Sequence, residues 1–313
     1  MNESNTTNVA LSNEGEPIQH LRLGDQELWI LPDTSFVPEA GLFALEATKE
    51  ELVEVLSDYG LATKSDKTPG EVGSLALLPT RFSACPILLK RESDLILIDA
   101  GIGAHVSGNP GSLPQKLGAI GVHPEEISTV LITHLHLDHI GGAFDPQSGE
   151  SLFPKATFYI PEPEINFWKN RNLSHATKLP PELVELTVRT AQRAIECLPI
   201  QMFSFEKEIF PGIQPVALPG HTGGQAGYFL TSPGHDQQLL VGGDALHHPI
   251  LHVRHPEWTT AGDSHPHLVH QTRLQLLNRL ANKSILFRCY HFAADETGYI
   301  RKDAEGQFRF VKP

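Results

Sequence analysis

Residues 133–142 read THLHLDHIGG, which places His134, His136, Asp138 and His139 within six residues. Imidazole nitrogen and carboxylate oxygen are ligands that zinc prefers, and a catalytic zinc site keeps one position open for water. An apolar run over residues 130–133 leads into the motif as a short buried strand. On an extended strand end, residues two apart point the same way, so His134 and His136 can grip one ion together. Asp138 and His139 follow in a tighter turn and face elsewhere, toward a second ion. Gly141-Gly142 lets the backbone turn close to the site with no Cβ in the way. The bland alternative is a polar turn with chance histidines. The spacing favours metal, but four side chains on one loop need further ligands from elsewhere.

Three other places repeat one design, a strand that ends in a ligand type. Residues 218–224, LPGHTGG, hold His221 in a glycine-flanked turn. Residues 240–244, LVGGD, end an apolar run on Asp244, and residues 286–292, LFRCYHF, end another on His291. Singly, such a residue is ordinarily a satisfied loop side chain. Their common placement is what joins them to the first motif.

The elements that must carry these residues alternate along the chain. Residues 1–17 are polar and aperiodic, a loose tail, and residues 18–313 form one domain. Residues 20–31 alternate around Gly24-Asp25 as a hairpin. Thr48 to Glu51 is a capping box for a helix through Leu52, Val55, Leu56 and Tyr59 that Gly60 stops. Strands are predicted over 74–78, 86–90, 95–98, 130–133, 156–160, 213–218, 227–230, 239–241, 285–290 and 308–311. Helices are predicted over 162–169, over 182–196 with Leu183, Leu186 and Ala194 inward, and over 267–281 with Leu268, Thr272, Leu276, Leu277 and Leu280 inward. Strands in each half with helices between and after them predict two sheets covered by helices.

The bulk numbers narrow the partners. With 313 residues, 40% hydrophobic and 19% charged, the chain can bury a substantial core. Its net charge of −13 and lack of a basic run argue against nucleic acid and anionic membrane. No stretch of about 18 apolar residues exists to span a bilayer. Cys85, Cys197 and Cys289 are widely spaced and odd in number, so no disulfide framework is expected and a reducing cytoplasm is the default. The first twenty residues lack the order of a signal peptide, although a removed leader would look the same. No nucleophile elbow, P-loop or dinucleotide fingerprint competes with the metal reading.

HxHxDH, then GHTGG, then a strand ending in GGD, then a late strand-end histidine: in this order the chain resembles the metallo-β-lactamase-fold hydrolase superfamily over residues 20–313. The resemblance implies an α+β fold, a four-layer αββα sandwich with a metal site in the cleft between the sheets. It implies two Zn2+ ions, other divalent metals being admissible. His134, His136 and His221 would hold the first; Asp138, His139 and His291 the second; Asp244 would bridge both. Asp99, ending LILIDAG, would support the metal loop from behind, since ligating imidazoles need orienting partners. Two ions roughly 3.5–4 Å apart hold one hydroxide at neutral pH and polarise a carbonyl or phosphoryl oxygen. Asp138 or Asp244 could then relay a proton to the leaving group.

Within the superfamily, SACPILLKRESDLILIDAGIG, LFPKATFYIPEPEINFW and the tail HFAADETGYI to FRFVKP resemble the branch of methyl parathion hydrolase and the larger N-acyl-homoserine lactonases. The expectation is a dinuclear-zinc hydrolase that opens a lactone or related ester, a quorum-quenching lactonase among the candidates. Its small-molecule substrate would carry an apolar acyl or aryl group, and a homodimer is compatible. Phe36, Phe43, Phe167 and Trp168 would line the apolar pocket. His247 stands where many such lactonases have a tyrosine, and could donate the same hydrogen bond or protonate a leaving alkoxide. After IDAGIG the chain reads Ala104-His105-Val106, without the aromatic that helps a phosphotriesterase clasp an aryl group. The alternatives of the same fold are that phosphotriesterase and a mononuclear-iron sulfur dioxygenase. Seven of the 17 histidines fall between His247 and His270 at spacings that match no compact chelate, so a solvated loop over the cleft is expected, with Asp263 as its support.

Overall fold

In the computed structural model the described residues are 7–9, 16–36, 40–59, 82–92, 94–105, 110–169, 177–281 and 283–313, with only the backbone described for residues 7–9, Phe36 and Ala40. The alternating segment after Pro17 becomes the hairpin of β2 (Ile18–Leu23) and β3 (Gln26–Ile30). Gly24, at φ +59°, makes its turn. β2 also pairs antiparallel with β1 (Thr7–Val9), so three residues of the expected loose tail form an edge strand, their backbone groups satisfied by β2.

Onto β3 are added β6 (Ile87–Arg91), β7 (Asp94–Ile98), β8 (Thr129–Leu131), β9 (Thr157–Pro161) and β10 (Ile200–Phe203), giving an eight-stranded sheet. β7, β8, β9 and β10 run parallel. The second sheet has the order β11 (Ile213–Ala217), β12 (Ala226–Thr231), β13 (Gln238–Val241), β14 (Leu286–Arg288). Two-stranded pairs, β4 (Thr34–Phe36) with β5 (Phe82–Ala84) and β15 (Tyr299–Lys302) with β16 (Phe308–Val311), complete the strands.

Period-2 alternation then sorts the side chains. Leu89, Ile96, Ile98 and Leu131 meet Tyr228, Leu230 and Val241 of the other sheet in one buried core. Leu88, Leu97, Val130 and Phe158 face the opposite way, onto α2 (Leu113–Ala119), α4 (Glu162–Lys169) and α5 (Pro181–Cys197). The outer face of the second sheet, with Phe229, Leu240 and Phe287, packs in one core with Val253 of α6 (Leu251–Arg254) and Leu276, Leu277 and Leu280 of α7 (Pro266–Ala281). Each such leucine contributes about 1.5–3 kcal/mol by leaving water. The layers run helix, sheet, sheet, helix, the αββα sandwich expected. No helix among the described residues is long and apolar enough to cross a membrane, and the three cysteines are free thiols.

Local signals hold where they are strong. α1 (Lys49–Ser57) begins on the expected capping box, with Glu51 N–H donating to Thr48 Oγ1 and Thr48 N–H donating to Glu51. Leu183 is 37% exposed, against expectation, because the first turn of α5 extends past the core that Thr187, Thr190, Ala191 and Ala194 face. On α7 the inward stripe takes Val269 and Arg273 while Leu268 is only half-buried. The expected strand over 74–78, the Gly60 stop and Val106 lie outside the described residues.

Candidate metal centre

β8 delivers Thr133 and His134 to the mouth between the sheets, and the chain folds at once into α3 (Leu137–Ile140). The strand end aims His134 and His136 together, and the helical turn swings Asp138 and His139 away from them. Asp99, after β7, receives the backbone N–H of Thr133 at 2.8 Å and its hydroxyl at 2.9 Å. It sits at φ +58°, a left-handed conformation unusual outside glycine. Gly142 permits the close turn, since a Cβ there would fall 2.0 Å from the Ala100 carbonyl oxygen. His221 follows β11, Asp244 follows β13 after Gly243 at φ +51°, and His291 follows β14.

These ends converge. His134 Nε2 lies 3.0 Å from His136 Nδ1, and His136 Nδ1 lies 2.8 Å from His221 Nε2. Asp244 Oδ2 is 3.3 Å from His221 Nε2 and 3.0 Å from His291 Nε2, and its Oδ1 is 3.3 Å from His139 Nε2. Asp138 Oδ2 is 3.4 Å from His291 and 3.9 Å from His139. Four overlapping groups of ligand atoms result: His134, His136, His221 and Asp244; Asp138, His139 and His291; Asp244, His247 and His291; and His221, His247 and Asp263.

The outer ring nitrogens fix the inner ones. His221 Nδ1 donates to Asp263 at 2.8 Å, His139 Nδ1 to Asp99 at 2.9 Å, and His291 Nδ1 to the Ser83 carbonyl at 3.1 Å. The Thr133 hydroxyl proton goes to Asp99, leaving a lone pair for His134 Nδ1–H at 3.1 Å. With their protons outside, these imidazoles turn lone pairs toward one another. His139 Nε2 and Asp244 Oδ1 are buried 3.3 Å apart with no hydrogen bond formed to either, an arrangement that a cation between them would satisfy. The donor set therefore fits divalent metal.

The electrostatics agree. Burial, reinforced by its histidine neighbours, holds His134 well below the usual imidazole range, and burial does the same to His136. Burial also opposes charge on His139, but Asp244, Asp99 and Asp138 outweigh it and push its pKa well up. The field that draws a proton onto His139 would draw a metal ion. Asp244 is held well below the carboxylate range, burial being overcome by His291, His139 and His247.

His247 is brought to the cluster: it is 4% exposed, with Nε2 3.3 Å from Asp244 Oδ2, and burial pulls its pKa down to about 4. The expectation of a solvated histidine loop is corrected for His247, His248 and His252, while His265 and His267 are exposed and His255 and His270 half-buried. His248 is 4% exposed and His252 is fully buried, its Nδ1 accepting from the N–H groups of His247 and His248 while its Nε2 donates to the Phe43 carbonyl at 2.7 Å. Both nitrogens of His252 are satisfied, which removes the cost of burying it. Of the expected pocket residues, Phe167 and Trp168 line an open cleft beside His136, with Leu179, Val184 and Val188. Phe43 instead packs 4.4 Å from the Phe82 ring and edge-on to His247, beside the other end of the cluster. Phe36 ends β4, and its side chain lies outside the described residues.

Sequence reasoning missed Glu164, Arg273, Tyr290 and Phe82. Glu164 had a signal: it shares the buried stripe of α4 with Ile165 and Trp168, where a carboxylate stays only if donors surround it. Arg273, fully buried, pairs with Asp263 at 3.3 Å and donates to the Ala245 and Trp258 carbonyls. Arg273 outweighs burial and holds Asp263 ionised behind His221.

The family model described as the metallo-beta-lactamase superfamily matches residues 82–146, from β5 through α3. The chain superposes on AidC, a dizinc quorum-quenching lactonase solved with a product, with TM-score 0.81 and 24% identity over 95% of this chain and 97% of that one. It superposes on the hydrolase AbOPH of the beta-lactamase superfamily with TM-score 0.79 and 23% identity, over 96% and 99% of the chains. Anti-Pycsar protein Apyc1 of Paenibacillus harenae is 28% identical over 152 residues, 47% of this chain and 56% of that protein, so the chain spans little more than half the length of this curated relative. The chain has the metallo-β-lactamase fold.

Proposed function

We propose that this metallo-β-lactamase-fold chain is a dinuclear-zinc hydrolase that opens a lactone or related ester, N-acyl-homoserine lactones among its candidate substrates. The observation that carries the reading is the convergence of seven ligand side chains, five on loops that leave strands of both sheets and two on α3, into two adjoining sets, with Asp244 3.3 Å from His221 in one and 3.0 and 3.3 Å from His291 and His139 in the other. Two zinc ions there would supply an acidified water and a polarised ester carbonyl. His134, His136 and His221 would hold one, Asp138, His139 and His291 the other, with Asp244 between them.

The chain's own groups would do the rest. Asp138, whose side chain is 29% exposed, faces the cleft and could carry a proton to the leaving alkoxide. Asp244 is buried at the centre and holds its neighbours in register. His247, kept neutral by burial beside Asp244, would donate a hydrogen bond to a substrate oxygen. Phe167 and Trp168, with Val184 and Val188, offer an apolar wall to an acyl chain beside His136. The similarity to AidC supports the lactone reading. The test is a hydrolysis panel on zinc-loaded protein: short- and long-chain acyl-homoserine lactones, simple γ- and δ-lactones and an aryl phosphotriester. Lactone turnover exceeding phosphotriester turnover is expected; the reverse order would replace the reading with a phosphotriesterase.

A further inference from the structure

Glu164 lies in the first turn of α4, is fully buried, and makes no contact with a basic side chain among the described hydrogen bonds and ion pairs. Burying an unpaired carboxylate is expensive unless donors replace its water. Four donors do so. Oε1 accepts from the Leu135 backbone N–H at 3.0 Å and from the Trp168 indole, and Oε2 accepts from the Thr222 hydroxyl at 2.6 Å and the Gly224 N–H at 3.0 Å.

The donors are not scattered. Leu135 stands between His134 and His136, and Thr222 follows His221 directly. Every nitrogen ligand of one metal set is thus next in sequence to a group that Glu164 grips. Leu135 shares its motif with Asp138 and His139, but no group that Glu164 grips is next in sequence to Asp138 or His139, and none lies on the loop of His291. The approach is tight: a Cβ on Gly224 would fall 2.0 Å from the Glu164 amide nitrogen, so only glycine lets the His221 turn close onto α4. A carboxylate that merely anchored a helix would have no reason to divide its two oxygens between two ligand loops.

We propose that Glu164 is a positioning residue which sets the metal affinity of the His134–His136–His221 half of the centre and leaves the Asp138–His139–His291 half unchanged. The proposal rests on the two-ion reading above. Glutamine at 164 keeps the shape but replaces one acceptor oxygen with an amide that faces two donors, so one of the two ligand loops loses its anchor. Partners behind the ligands of a metal site are worth about 10–100-fold in affinity.

The test is chelator competition for zinc on the full chain, comparing wild type, Glu164→Gln and Ile165→Ala, the last a core cavity beside Glu164 on the same helix. Wild type should bind two equivalents. Glu164→Gln should weaken one of them by ~10–100-fold and leave the other within about threefold, while Ile165→Ala lowers the melting temperature and leaves both. In a His221→Ala background the Glu164→Gln effect should vanish, and in a His291→Ala background it should persist. If Glu164→Gln does not fold, Thr222→Val, which withdraws one donor, should show the same selectivity at smaller size. Equal weakening of both equivalents, or an Ile165→Ala effect as large as that of Glu164→Gln, would make Glu164 a plain structural brace and overturn the proposal. A single equivalent in wild type would overturn the two-ion reading itself, before any variant is compared.

Discussion

The two halves of the centre are built by different means. His134, His136 and His221 come from loops 85 residues apart, and buried carboxylates hold them: Glu164 clamps both loops, and Asp263, charged by Arg273, orients His221. Asp138 and His139 come from one turn of α3, with Asp99 behind His139 and the Tyr290 hydroxyl on the Asp138 carbonyl. Their half is framed by rings, with Tyr290 3.8 Å from His139 and Phe82 3.9 Å from His291. The first half leans on two buried carboxylates, Glu164 and Asp263, while the second has one, Asp99 behind His139, together with the turn of α3 and aromatic packing. On the proposed two-ion reading, an Asp244 shared by both halves would not make them equally sensitive to what lies behind them.

The largest break should come from the ligands themselves. His134→Ala with His136→Ala should cut lactone hydrolysis by about 10³-fold or more, the scale of losing a principal electrostatic element, and retained turnover would sink the hydrolytic reading. Next, Asp263→Asn should weaken zinc at the first half by ~10–100-fold and lower the melting temperature, because Arg273 stays buried without its counter-charge. Chelator competition with thermal unfolding checks both, and unchanged affinity would reduce Asp263 to a loop brace.

Acid should act on the wall beside the centre. Burial holds His248 at about 4 and His252 well below its ordinary value. The unfolded chain would protonate these rings near pH 6.5. Their stabilisation is therefore full above about pH 6.5 and is lost as pH falls toward 4. Urea unfolding at pH 7.5 and at pH 5 tests this, a flat profile counting against it. The smallest effect belongs to the aromatic half: Tyr290→Phe removes the hydroxyl that donates to the Asp138 carbonyl at 2.6 Å and should cost about 1 kcal/mol of stability. Zinc affinity should move far less than with Asp263→Asn, and an equal loss would erase the contrast between the halves.

Much of this was legible in the chain. The motif at 134–139 could be read because strand and helix periods alone divide its four side chains into two directions. His221, Asp244 and His291 could be found because each ends an apolar run. Glu164 offered only its place on the buried stripe of α4, since three of its four partners lie 29 to 60 residues away, and Arg273 offered none, its partners lying 10 to 28 residues away. The histidines at 247, 248 and 252 looked solvated because the acceptor that completes their burial, the Phe43 carbonyl, is 209 residues from His252. Leu183 was misplaced because periodicity gives the face of a helix but not where the core ends along it.

The most direct measurement is metal content by elemental analysis and native mass spectrometry on the purified chain, wild type beside His134→Ala/His136→Ala. Two zinc ions per chain, falling to one in the variant, is the result expected from two adjoining ligand sets. One iron per chain in the wild type, unchanged by adding zinc and accompanied by oxygen uptake on a persulfide, would contradict the account.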